Sequence, residues 1–248
     1  MTKQNHDAAA IVELRRYRLK PGARETLIAL FDGELVDPQE EAGMTVLGQF
    51  RDIDDPDCFV WLRGFADMQK RAEALGRFYG GPIWAAHAQA ANDTMVNSDN
   101  VLLLRPQTPE AEAALSSAQR PREGMGEAPA GLIVCTICHL APGTGQACAD
   151  FFENRVRPLL ERASAKVLAT LVSETSPNTF PRLPVREGET VFVWLSGFRD
   201  IRDYAVHAGR LAHMEEWVNG VLPDMERRVW RPNTVARLVP TGRSRLRG

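Results

Sequence analysis

Ile11–Leu19 alternates apolar and polar residues and runs into Pro21-Gly22, the pattern of a strand entering a turn. Residues 23–35 then place Leu27, Ile28, Leu30, Phe31 and Leu35 at helical spacing. Residues 44–50 read as a second strand, an Asp-Pro turn follows within 52–57, and Cys58–Phe65 reads as a third strand. Asp67 is placed to cap a helix over residues 68–78. Gly80-Gly81 ends that helix, and Pro82 starts a short one carrying Trp84 and His87. Residues 101–105 form the last strand. The order is β-α-β-β-α-β, with a small extra helix before the final strand.

The pattern then repeats. Phe59-Val60-Trp61-Leu62-Arg63-Gly64-Phe65 recurs 133 residues later as Phe192-Val193-Trp194-Leu195-Ser196-Gly197-Phe198. Trp84 is answered by Trp217, and Val101-Leu102-Leu103-Leu104-Arg105-Pro106 by Val235-Ala236-Arg237-Leu238-Val239-Pro240. Leu19-Lys20-Pro21-Gly22 is answered by Leu140-Ala141-Pro142-Gly143 at an offset of only 121, which puts an insertion of 12 residues in the second copy. Its place is 173–189, where Pro177, Pro181, Pro184 and Gly188 give loop composition. The expected organisation is a first repeat over 11–106, a linker over 107–130 with a short helix at 109–118, and a second repeat over 131–240. The tail 241–248, with three arginines, reads as a solvated, frayed end.

Each unit has the split βαβ, or ferredoxin-like, order. Helices cover one face of such a sheet, and the other face also needs cover. The expected fold class is therefore α+β: two tandem ferredoxin-like repeats packing sheet to sheet within one chain. A single-copy relative would have to dimerise to achieve the same burial.

Glu13-Leu14-Arg15-Arg16-Tyr17-Arg18-Leu19-Lys20-Pro21-Gly22 resembles the opening signature of the NIPSNAP family, as do the aromatic third strand and the Trp-bearing helix before a Leu-rich strand. The resemblance covers about 95 residues of the first copy and extends more weakly into the second. It implies the dimeric α/β-barrel superfamily, which includes cofactor-free monooxygenases, isomerases, dehydratases and some haem proteins. The second copy departs from the signature, with Val134, Thr136 and Cys138 where Glu13, Arg15 and Tyr17 stand.

The period of two puts Glu13, Arg15 and Tyr17 on one face of the first strand, and Trp61 and Arg63 on one face of the third. Val60, Leu62 and Gly64 are smaller and suit packing against helices, which aims Trp61 and Arg63 into the barrel. Arg16 and Arg18 alternate with the first set, so the opposite assignment of that strand also stands. One reading of Glu13, Arg15, Tyr17, Trp61 and Arg63 is an anion or enolate pocket, because guanidinium forks hold carboxylates and phenolates. Tyr17 would donate a hydrogen bond and Glu13 would serve as a base. The other reading is a buried ion pair that satisfies itself, or a solvent-facing set. His87 is a candidate base or haem ligand, or a plain helix-surface residue. Trp84 and Trp217 recur in both copies, which points to packing.

Cys135-x-x-Cys138 lies on a strand, where residues three apart face opposite ways, so it reads as two small buried residues and not as a metal or redox pair. His207 and His213 read as helix-surface residues. No Gly-rich phosphate loop, Ser nucleophile elbow or His-Glu-x-x-His motif is present. The chain of 248 residues has a net charge of −2, which gives no case for nucleic acid, and no apolar run approaches a membrane span. Four cysteines and a polar start over residues 1–10 fit a cytoplasmic protein.

These features lead to three expectations for function. The first is binding of a small aromatic or polyketide-like acid or carbonyl in a barrel cavity, with cofactor-free oxygenation or isomerisation. The second is a non-catalytic interaction or scaffold protein, with the 173–189 insertion and the 107–130 linker as contact candidates. The third is haem binding through His87 or His139. No cofactor is otherwise expected, and the chain would be a monomer with an internal pseudo-dimer or a homo-oligomer.

Overall fold

The computed structural model describes residues 9–121 and 131–248. Residues 1–8, with most of the polar start, and residues 122–130 of the expected linker lie outside that range.

The first repeat runs β1 (Ile11–Leu19), α1 (Arg24–Leu30), a π-helical stretch (Phe31–Leu35), α2 (Val36–Glu41), β2 (Thr45–Asp52), β3 (Cys58–Phe65), α3 (Met68–Tyr79), α4 (Pro82–Asp93), β4 (Met95–Asn97) and β5 (Val101–Pro106). After α5 (Pro109–Ser117), the second runs β6 (Leu132–Leu140), α6 (Gly145–Phe151), a π-helical stretch (Phe152–Val156), α7 (Arg157–Arg162), β7 (Lys166–Ser173), β8 (Thr190–Phe198), α8 (Ile201–Ala212), a π-helical stretch (Glu216–Val221), α9 (Leu222–Glu226) and β9 (Val229–Pro240). The turn after β1 needs the left-handed region at Gly22 (φ 76°), and the matching turn after β6 needs it at Gly143 (φ 79°). Asp67 caps α3 by accepting from the Lys70 amide at 2.6 Å, and Asp200 caps α8 in the same way. The first helix continues past the expected stop at residue 35, and β4 is an element the hydrophobic pattern did not announce.

Each repeat contributes four strands, ordered β5-β1-β3-β2 and β7-β8-β6-β9. Antiparallel pairing of β2 with β9 and of β5 with β7 joins them at both edges, closing an eight-stranded barrel. The fold is α+β, a dimeric α/β barrel made within one chain.

The barrel interior is one apolar cluster that includes Val12, Leu14, Val60, Leu62, Ile137, Val193 and Leu195. This reverses the expected facing of β3 and decides that of β1, which the alternation of Glu13, Arg15 and Tyr17 with Arg16 and Arg18 had left open. An eight-stranded barrel has room for medium aliphatic side chains from every strand and little more. The bulky Trp61 and Arg63, with Glu13, Arg15 and Tyr17, are therefore on the opposite strand face, under the helices. The apolar neighbours there are Leu27, Phe31, Leu75 and Phe78. The ligand-sized barrel interior expected from the sequence is thus occupied by aliphatic packing.

One barrel mouth is closed by two segments. Ala111 and Leu115 of α5 pack into the interior cluster, and so does Leu246 of the C-terminal tail. The tail is docked, contrary to the expected frayed end. The Thr241 and Leu246 amides bond to the carbonyls of Gln49 and Leu47, and Arg243 and Arg245 pair with Asp37 and Glu40. No helix among the described residues is long and apolar enough to cross a membrane.

Candidate functional site

The antiparallel register sets Glu13 opposite Arg63 and Arg15 opposite Trp61, on the face of the first-repeat sheet that α1–α4 cover. Glu13, Arg63 and Arg71 are fully buried and Arg15 is 1% exposed. The Glu13 carboxylate collects three guanidiniums: Arg15 Nη1 at 2.6 Å and Arg63 Nε at 2.8 Å on Oε2, and Arg71 Nε at 2.7 Å on Oε1. Arg15 Nε donates to the Tyr17 hydroxyl at 2.8 Å, and Arg63 Nη1 donates to Gln39 Oε1 at 3.2 Å and to Tyr79 Oη at 3.4 Å.

Aromatic rings surround the charges. The Arg63 guanidinium carbon lies 4.9 Å from the Trp61 ring centre, and that of Arg15 lies 5.4 Å from the rings of both Trp61 and Tyr17. Ring faces of this kind offset part of the cost of burying a cation. Phe31 packs against Trp61 at 4.8 Å, and Tyr79 against Trp84 at 4.9 Å. Trp84 and Trp217 pack onto equivalent clusters in the two repeats, as their recurrence implied.

Three positive charges therefore meet one negative charge in a site closed to water. Arg71 Nη2 and Trp61 Nε1 are buried with no hydrogen-bond partner, and Arg63 Nη2 lies near Glu13 without an aligned bond. Burial alone would push the Glu13 carboxyl up, but Arg63, Arg15 and Arg71 together override it and hold the group well below the usual carboxylate range. A carboxylate so held is a poor base, which removes the base role expected of Glu13. Burial pushes the Tyr17 phenol up, against the opposing effect of Arg15, so Tyr17 stays a hydrogen-bond donor near neutral pH.

The loop over residues 174–189 joins this site from the second repeat. Arg71 Nη1 donates to Asn178 Oδ1 at 2.9 Å and to Thr179 Oγ1 at 3.3 Å, and Phe180 stacks on Tyr79 at 6.2 Å. The insertion thus covers the first repeat's polar cluster. It also walls a cavity of about 370 Å³ together with Leu102 and Leu103.

The structure brings Glu13, Arg15, Tyr17, Trp61 and Arg63 together. His87 is apart from them, half-buried on α4, with Nε2 3.8 Å from Glu34 Oε2. Arg71, Gln39, Tyr79 and the 178–180 segment were not foreseen. Arg71 was findable, because it occupies the first position of the buried stripe Arg71, Ala74, Leu75, Phe78, where an apolar residue belongs.

The remaining candidates resolve differently. Cys135 faces the barrel interior and Cys138 the helices, on opposite faces as a strand requires, and burial pushes the Cys135 thiol up to about 12. His207 is buried, with Nδ1 3.1 Å from the Ala163 carbonyl, so the surface expectation fails for it; His213 is exposed. His139 uses both ring nitrogens within the chain, on Arg231 and Thr234, which speaks against its expected role as a haem ligand. Among the described residues, no group of three or more His, Cys, Asp or Glu side chains could hold a metal ion.

The second repeat has the same register without the charges. Val134 pairs with Ser196 and Thr136 with Trp194, where the first repeat pairs Glu13 with Arg63 and Arg15 with Trp61.

The family model of NIPSNAP matches residues 12–108. Among solved structures, the chain is similar to a candidate monooxygenase of Fusobacterium nucleatum subsp. nucleatum, with 12% identity, a TM-score of 0.59 and coverage of 94% of this chain and 93% of that one. It is also similar to an anthrone oxidase-like protein, with 11% identity, a TM-score of 0.57 and coverage of 96% and 95%. A third, a candidate monooxygenase of Lactobacillus acidophilus NCFM, gives 9% identity, a TM-score of 0.55 and coverage of 94% and 97%. At such identities the likeness is one of fold. No curated protein matches the sequence.

Proposed function

The first repeat of this chain is a NIPSNAP domain, and from that premise we propose that it binds a small aromatic or polyketide-like acid or enol in its anionic form. The site is the Arg15–Arg63–Arg71 cluster, between the sheet and the helices of that repeat. The observation that carries this reading is the excess of positive charge there. Two guanidinium charges exceed what Glu13 neutralises, in a place where an uncompensated charge costs several kcal/mol. A planar carboxylate, phenolate or enolate would supply the missing charge and accept from the unpartnered Nη2 of Arg71.

The second repeat supports the same reading. It builds the same sheet and helices with Val134, Thr136 and Ser196 in place of the charged set, so the fold does not need the charges. Trp61, Tyr79, Trp84 and Phe180 would flank the ring system of the ligand. Fixed donors aimed at an oxygen stabilise negative charge that develops on it. That is the demand shared by cofactor-free oxygenation and by keto–enol isomerisation, in both of which an enolate or phenolate forms. With Glu13 held ionised and saturated, such chemistry would draw on a substrate acidic enough to ionise on the arginines. Tyr17 would donate to the product oxygen.

Titration with salicylate and with anthrone, read by tryptophan fluorescence and by oxygen uptake, tests the proposal. Saturable quenching that weakens at least tenfold in folded Arg63→Ala and Arg71→Gln variants is the expected result. Quenching that survives in both variants, or none with either compound, refutes it. Oxygen uptake with anthrone separates oxygenation from binding alone.

A further inference from the structure

The barrel mouth opposite the docked tail holds a second arginine-rich site, and it uses none of the residues of the first. The tail meets the chain near Leu132, at the start of β6, where Gly248 abuts Phe198 and Leu132. His139 lies seven residues further along the same strand, about 23 Å away at 3.3 Å per residue. There a cavity of about 200 Å³ is floored by Leu14, Leu102 and Ile137 and rimmed by Arg16, Asn100, His139, Arg186, Arg231 and Thr234.

The rim is made by both repeats. Arg16 comes from β1, Arg231 and Thr234 from β9, His139 from β6 and Arg186 from the 174–189 loop. Glu189 takes Arg186 and Arg231 together, the latter at 3.2 Å, and lies 3.9 Å from His139. Arg186 Nη1 also donates to Asn100 Oδ1 at 3.1 Å, and Arg16 reaches Asp52 only at 3.5 Å. Three guanidiniums therefore share two carboxylates. Arg16 Nε and Arg231 Nε are both buried without a hydrogen-bond partner.

The imidazole fixes the polarity of the rim. Arg231 Nη2 lies 2.9 Å from His139 Nδ1, and since a guanidinium only donates, Nδ1 accepts. His139 is then neutral with its proton on Nε2, which donates to Thr234 Oγ1 at 3.0 Å. That leaves the Thr234 hydroxyl hydrogen directed away from His139. The rim thus offers unpaired N–H groups and a hydroxyl donor, with a net positive charge, over an apolar floor.

We propose that this mouth binds a small oxyanion, a phosphate or carboxylate group, between Arg16 and Arg231. An oxyanion bridging the two Nε groups would satisfy both, and it would tie β1 of the first repeat to β9 of the second.

The test uses the full chain labelled at histidine, with the His139 imidazole signals followed by NMR during titration with inorganic phosphate and, separately, acetate. The expected result is a saturable His139 shift with at least one of the two anions. It should weaken at least tenfold in Arg16→Gln, whose side chain hydrogen-bonds to Asp52 and not to His139, and in Arg231→Lys. Arg63→Ala, which alters only the first site, should leave the His139 titration unchanged, so the two proposals fail separately. Saturation by phosphate alone assigns a phosphate-type ligand, and saturation by acetate assigns a carboxylate. A shift that rises without saturating, or one retained in Arg16→Gln, overturns the site.

Discussion

Glu13 on β1 and Arg71 on α3 meet at 2.7 Å across the sheet–helix layer, 58 positions apart in the chain. Glu13 is the one carboxylate that all three buried arginines of the first site share. Glu13→Gln should therefore leave three cations without a counter-charge. The expected loss is about 3–5 kcal/mol of stability, the usual cost of removing one partner from a buried ion pair. Urea denaturation at neutral pH measures it. A loss under about 1 kcal/mol, the range of exposed ion pairs, would mean that water reaches the cluster.

The same carboxylate gives the acid branch of the stability curve a definite sign. Its folded-state pKa lies well below the ordinary glutamate value of 4.5. The stability it contributes is fully present above pH 4.5 and drains as the pH falls toward the folded pKa. The gap between wild type and Glu13→Gln should therefore be constant from pH 7 to 5 and narrow below 4.5. Denaturation curves at pH 7, 5, 4 and 3 read it directly. A gap that stays constant to pH 3 would place the linkage elsewhere.

His207 adds a second, milder pH effect. Its Nδ1 faces the Ala163 carbonyl, so the neutral ring carries its proton there, and burial lowers the pKa from 6.5. A ring that resists protonation when folded costs stability only below the unfolded value. Stability should accordingly decline from pH 6.5 downward, and His207→Gln should remove that part of the decline. Melting temperatures at pH 7.5, 6.5 and 5.5 for the two proteins distinguish the cases.

The strands β1 and β3 were legible to the residue, because alternation and an Asp-Pro turn fix them locally. Which face of β1 and β3 looks inward was not. Facing depends on whether the narrow space is the barrel or the helix layer, and size alone argued for the wrong one. Arg71 carries a local signal, a charge on an apolar stripe. Asn178, Thr179 and Phe180 carry none, since their contacts with Arg71 and Tyr79 span more than 100 residues. The tail misled for a related reason. Three arginines look solvated in sequence, yet Asp37 and Glu40 stand ready to pair with two of them, and Leu246 anchors the segment in the barrel.

Phe180 tests whether the insertion controls access. Its ring stacks on Tyr79 and covers the aromatic wall. Phe180→Ala should cost little stability, about 1 kcal/mol, because the side chain is only half-buried. Acrylamide quenching of tryptophan fluorescence should rise, and salicylate should associate faster in stopped-flow. Unchanged quenching and association together would show that the loop does not gate the site.

The second repeat supplies the sharpest control on why the charges exist. Val134, Thr136 and Ser196 stand in its register where Glu13, Arg15 and Arg63 stand in the first, and Tyr204 stands at the offset of 133 from Arg71. Installing that set as Glu13→Val, Arg15→Thr, Arg63→Ser and Arg71→Tyr removes every buried charge of the site at once. Replacing a whole buried ion network by packed neutral groups is often neutral or stabilising by about 1–4 kcal/mol, whereas removing one member is costly. The fourfold variant should hence be more stable than Glu13→Gln and should lose salicylate binding altogether. Denaturation and fluorescence titration of the three proteins give the answer. A fourfold variant less stable than Glu13→Gln would mean that the first repeat needs its charges to fold, and the ligand reading would lose the support it draws from the uncharged second repeat.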